Sequence, residues 1–98
     1  MLHMVNKSPF SNCALESCLR FVGDGDVLLL IEDGVYAATA GTVKSDLVES
    51  ALRNKLAVYA LQADVEARGL DKMIEGVQLA SYDDFVALLE VHNCHSWL

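Results

Sequence analysis

Five consecutive apolar residues, Val27 to Ile31, stand between Gly25-Asp26 and Glu32-Asp33-Gly34. A run this short, bounded by turn formers at both ends, is too short for a core helix and reads as a β-strand buried on both faces. Strands of this kind belong to sheets covered on both sides by helices. The Asp-Gly that follows then lies at the strand's C-terminal end, where open α/β sheets place their working loops.

The remainder of the chain alternates strand and helix patterns around this run. Leu2 to Val5 reads as a first strand, followed by the breaker Asn6-Lys7-Ser8-Pro9. Ser8 is placed to cap a helix that starts at Pro9 and runs to about Val22. At 100° per residue its apolar stripe is Ala14, Leu15, Cys18, Phe21 and Val22, with Cys13 on the polar side. Small residues predict a short helix over Val35 to Ala40, and helical spacing of Leu47, Val48, Ala51 and Leu52 predicts another over Ser45 to Asn54. Leu56 to Leu61 is a third strand. Asp64 to Arg68 makes a short helix closed by Gly69 in a left-handed cap. Met73 to Ala80 contains a shorter strand around Val77 and Leu79. Ser81 caps a last helix with Asp83 and Asp84 in its first turn, a buried stripe of Tyr82, Phe85, Val86 and Leu89, and an end near His92. The tail, closing in Trp97-Leu98, is expected as an edge strand or a docked segment. The pattern is that of an α/β fold with a mostly parallel sheet and right-handed crossovers.

Ninety-eight residues make one domain, 1–98, with room for a real core. The apolar fraction of 53% and mean hydropathy of +0.30 exceed those of ordinary small domains, so apolar surface is left over for partners. Trp97-Leu98 and Val35 to Ala40 are expected to contribute to such contacts, and the isolated chain is free to self-associate. The formal net charge of -7 repels a polyanion, which argues against direct nucleic-acid binding. The apolar runs fall short of the ~20 residues that span a bilayer, and the chain is expected in the cytoplasm. Cys13, Cys18 and Cys94 are odd in number and lack a CxxC spacing, so reduced thiols are expected rather than a disulfide framework.

Motifs for cofactors are weak. Gly23-Asp24-Gly25 lacks the spacing of a dinucleotide loop and carries an acid where a phosphate needs amides. His92, Cys94 and His95 do not have a zinc spacing. No cofactor and no metal are therefore expected. Glu32 and Asp33 are paired carboxylates at a strand end, the raw material of acid–base chemistry, but read more simply as solvent-facing turn residues because no basic partner can be named for them.

Taken in order, MLH at the start, NKSPF with LESCLRF, GDVLLLIEDGVYAA, LRN followed by VYAL, the D-x-x-ARGL run from Asp64 to Leu70, YDDFV and the near-terminal Trp97 resemble the TusB/DsrH family of sulfur-relay subunits over nearly the whole chain. The resemblance implies a three-layer α/β/α fold with a five-stranded, largely parallel sheet. It implies assembly with TusC/DsrF-like and TusD/DsrE-like subunits into a heterohexamer. Persulfide sulfur would pass from that complex to a TusE/DsrC-like carrier, for 2-thiolation of the tRNA wobble uridine or for sulfur oxidation.

The same resemblance limits this subunit's role. The sulfur-bearing paralogue carries its thiol near the end of the third strand, before a helix ending in Arg-Gly. The corresponding stretch here, Leu56 to Gly69, has no cysteine. An accessory subunit is thus expected. The candidate catalytic residue is Cys18, whose place in LESCL matches DsrH-type sequences and leans toward that branch. Two other readings stay open: a stand-alone persulfide enzyme using Cys18 or Cys94, and a structural homo-oligomeric module. For Cys18 itself the choice lies between an inert core thiol and a transfer site that a partner makes dry yet reachable.

Overall fold

The computed structural model describes residues 1–97, so the expectation placed on Leu98 lies outside them. Strands β1 (Leu2–Val5), β2 (Val27–Leu30), β3 (Ala57–Leu61), β4 (Gln78–Ala80) and β5 (Cys94–Trp97) form one sheet in the order β4-β3-β2-β1-β5. Every pairing is parallel. The organising run becomes the central strand, with all four residues of β2 buried. Helices α1 (Ala14–Leu19), α2 (Ser45–Arg53), α3 (Gln62–Ala67) and α4 (Tyr82–Val91) connect the strands, and a 3-10 helix, Glu32–Ala38, follows β2 directly.

The two faces are covered unequally, and topology explains why. From β1 to β4 the chain steps across the sheet in one direction, and right-handed crossovers put α1, α2 and α3 on one face. The return from β4 to β5 runs the other way, so α4 falls on the opposite face. The first face holds the main core: Leu15 and Cys18 of α1, Val35 and Ala38 of the 3-10 helix, Val48 of α2 and Val65 of α3 close over Leu28, Leu30, Val58 and Ala60. On the other face, among the described residues, a smaller buried cluster forms from Leu2, Val27, Leu29 and Ala80, with Phe85 and Leu88 of α4 packed partly against it. Each Leu or Val enclosed in this way contributes on the order of 1.5–3 kcal/mol.

Local signals fix several boundaries. Ser81 accepts from the Asp84 amide at 3.1 Å while Asp84 accepts from the Ser81 amide at 3.0 Å, a complete capping box that starts α4. Gly69, at φ +64, closes α3, with the Leu70 amide donating back to the Val65 carbonyl. Gly34 is required for another reason: a side chain there would collide with the carbonyl oxygen of Val5, so its absence lets the 3-10 helix sit on the end of β1.

Three expectations are corrected. The first helix begins at Ala14, not Pro9: Ser8 accepts from the Phe10 amide and closes a turn with Pro9 inside it, and Asn12 Oδ1 takes the Ala14 amide at 2.7 Å. Phe21 consequently lies past the helix and is 72% exposed. The segment Val35 to Ala40 is not a surface for other chains along most of its length, since Val35, Ala37 and Ala38 are inside the core. The stripe expected to be buried on α4 is largely open, with Tyr82, Val86 and Leu89 exposed and Phe85 half-buried.

Candidate functional site

The carboxyl ends of β1, β2 and β3 deliver Asn6, Glu32–Gly34 and Gln62–Asp64 to one edge of the sheet. Asp64, in the first turn of α3, accepts the Glu32 amide at 2.7 Å. That bond steadies a residue at φ +49, a left-handed conformation that side chains other than glycine rarely adopt. Arg68, just past α3, donates from Nε and Nη2 to Asp33 Oδ1 at 3.0 and 2.9 Å and from Nη1 to the Asp64 carbonyl at 3.2 Å. Its hydrogen bonds to Asp33, opposed by partial burial, push the guanidinium above its ordinary value. The guanidinium carbon stands 6.0 Å from the centre of the Tyr36 ring.

Glu32 and Asp33 therefore are not a free acid–base pair. Asp33 is held by Arg68, and Glu32 Oε2 lies 3.5 Å from Asn6 Nδ2. Sequence alone could not name Arg68 as the partner, because the two residues meet only once β2 and β3 are paired. The Arg-Gly at the end of α3 was the one available hint. No cysteine is among these residues: Cys13 stands exposed at the start of α1, Cys18 lies within that helix, and Cys94 opens β5.

Cys18 is fully buried on α1 within the main core. Burial, helped by the nearby Asp26 carboxylate, pushes its thiol up to about 12. That carboxylate belongs to a cluster in which His3 is committed to other partners. His3 Nε2 is 2.8 Å from Asp26 Oδ2, and the indole Nε1 of Trp97 donates to His3 Nδ1 at 3.1 Å. Asp26 also accepts the Gly23 amide at 2.9 Å and the Met1 ammonium at 2.9 Å. The Gly23 amide, His3 and the ammonium, in that order, hold its carboxyl far below the usual carboxylate range. The stretches MLH, GDV and Trp97 thus meet in one hydrogen-bonded cluster.

The other tail residues are separated. His92 follows α4, Cys94 is exposed, and the His95 ring lies 4.7 Å from the Trp97 ring. Among the described residues no three His, Cys, Asp or Glu side chains are grouped to hold a metal ion. A cleft of about 680 Å³ opens between α1 and α2 at the opposite, amino edge of the sheet, between Leu19, Gly25 and Ser50.

This is a small three-layer α/β domain with an all-parallel sheet, whose carboxyl edge carries an arginine–carboxylate clamp. Residues 7–94 match the family described as DsrH like protein. Protein TusB of Pectobacterium parmentieri is 40% identical over 93 residues, covering 94% of each chain. Protein TusB of Enterobacter sp. is 41% identical over 99 residues, covering 99% of this chain and all of that one. The chain belongs to the TusB/DsrH family of sulfur-relay proteins. In fold it matches the crystal structure of the ychN protein from E. coli, with a TM-score of 0.78, 14% identity and 97% of each chain covered. It also matches a protein of unknown function, MTH1491, from Methanobacterium thermoautotrophicum, with a TM-score of 0.74, 17% identity and coverage of 97% and 95%.

Proposed function

We propose that this chain is an accessory subunit of a cytoplasmic sulfurtransferase complex that passes persulfide sulfur to a TusE/DsrC-type carrier, on the route to 2-thiolation of the tRNA wobble uridine. The observation that carries the accessory role is the end of β3. From Leu61 to Gly69 the chain offers an arginine engaged with Asp33 and Asp64, and no sulfur. Its TusC/DsrF-like and TusD/DsrE-like partners supply the thiol. Relatives named TusB favour tRNA thiolation over the sulfur-oxidation branch toward which Cys18 leans. Among the described residues no helix is long and apolar enough to cross a membrane, which fits a cytoplasmic complex.

Cys18 fits a packing role in this reading. A sulfur carrier attacks as a thiolate, and a thiol enclosed in apolar side chains with a raised pKa is a poor one. The test is reconstitution with the two paralogous subunits and the carrier, using the Cys18→Ser chain. Sulfur transfer at the wild-type rate is expected. Persulfide trapped on Cys18 by mass spectrometry, or a relay stopped by the serine variant in a folded complex, overturns the accessory role. Failure of the wild-type chain to join the paralogues overturns the complex itself.

A further inference from the structure

On α4, Tyr82, Val86 and Leu89 are 61%, 52% and 41% exposed. At 100° per residue these three fall within about 60° of arc, a continuous apolar stripe. It does not face the sheet, which is contacted instead by Phe85 and Leu88. Beside the helix, Met4, Ile31 and Tyr59 are only half-buried, because one helix covers a face that spans five strands. We propose that α4 and this half-covered sheet face dock a different protein chain, one presenting an apolar surface flanked by lysine or arginine.

Charge selects that occupant over a second copy. Asp83 and Glu90 flank the stripe on one side, and from Met73 onward the sequence contains no lysine or arginine. A two-fold contact between copies would set these acids against their own equivalents, on chains that each carry a net charge of -7. A basic rim on a different chain pairs with them. Size points the same way as the half-open sheet. A ten-residue helix, about 15 Å long and about 10 Å across, is smaller than the ~800 Å² per partner that stable interfaces bury. The contact must spread onto Met4, Ile31 and Tyr59.

This inference takes only its choice of partner chains from the function proposed above. The test compares wild type, Val86→Lys and the double variant Asp83→Lys/Glu90→Lys, each co-expressed with the TusC/DsrF-like and TusD/DsrE-like subunits. Circular dichroism and thermal melting of the isolated Val86→Lys chain should match wild type, since the side chain is exposed, and should show the double variant folded with a small loss from the cation placed in the first turn of α4. The expected result is loss of the complex for both variants, and an apparent Kd for the wild type that rises with ionic strength. Hydrogen exchange of residues 82–91, slowed in the wild-type complex relative to the isolated chain, decides the matter independently of how the variants fold. Normal assembly of Val86→Lys with unprotected α4 amides overturns the inference alone. Self-association of the isolated chain that Val86→Lys abolishes overturns the choice of a different chain as occupant. Failure of the wild type to assemble overturns the proposed function, and this occupant with it.

Discussion

The indole Nε1–H of Trp97 donates to Nδ1 of His3 across the β1–β5 pairing at 3.1 Å. An indole can only donate, so Nδ1 carries the lone pair and Nε2 carries the proton given to Asp26. One bond from the last strand thereby sets the tautomer of a histidine that is only 3% exposed.

Trp97→Phe keeps a ring in place and removes the donor, leaving Nδ1 of a buried histidine without its partner. A loss of about 1–3 kcal/mol is expected. Urea unfolding followed by circular dichroism measures it. An unchanged midpoint would show that water replaces the indole at no cost.

Asp26 gives the fold a defined acid sensitivity. Its carboxyl is depressed in the folded state by the Gly23 amide, His3 and the Met1 ammonium. The sign follows: its stabilisation is present above the ordinary carboxylate value near 4 and is lost as pH falls below it. Asp26→Ala should lower stability at neutral pH, by about 1–3 kcal/mol, and should flatten the decline on acidification. Thermal melts of both proteins between neutral and acid pH provide the comparison.

Cys18 works in the opposite pH direction. Its thiol rises from an ordinary value of 9.0 to about 12 on folding, so between those values the unfolded chain releases a proton that the folded chain retains. Stability should therefore fall as pH rises through that window, and the Cys18→Ala variant should lose this part of the slope. In the native chain at neutral pH, iodoacetamide should modify exposed Cys13 well before Cys18. Equal rates would mean that α1 opens readily.

Gly34→Ala should be among the most damaging single changes. The new methyl would meet the Val5 carbonyl, a backbone atom that cannot swing aside. Overpacking of this kind costs about 1–3 kcal/mol, occasionally more. Because the strain lies beside Asp33, the Asp33–Arg68 pairing should loosen along with it. Denaturation midpoints and the exchange rate of the Gly34 amide, which donates to the Ile31 carbonyl at 2.8 Å, report both effects.

The elements read correctly from sequence are those specified locally. Val27 to Leu30 could only be a buried strand, and Ser81 with Asp84 announced the start of α4. Ser8-Pro9 is a good helix-start signal in sequence, but α1 begins at Ala14, after Cys13 and without a side-chain cap, where Ala14 and Leu15 pack into the core. On α4 the helical period was legible, but periodicity does not reveal which side faces the protein's own sheet and which is left for something else. The Arg68–Asp33 clamp and the His3–Asp26–Trp97 cluster were hidden because each joins residues that only the strand order brings together. Their members were visible as motifs; their chemistry was not.

Strand β5 pairs with β1, so the last strand of the fold closes against the first. Its outer edge is bare, and Cys94, His95 and Ser96 are exposed, which leaves it held mainly by one ladder and the Trp97 side chain. Contacts between such distant parts of a chain carry the largest loop-closure cost and form late. The four strands β4-β3-β2-β1 can nucleate from short crossovers while β5 waits. The same seam is then a natural line of sub-global opening in the folded protein: detachment of β5 would uncover His3 while the central strands stay paired. The molecule is in this sense a four-stranded unit with a latch, and Trp97 is the catch.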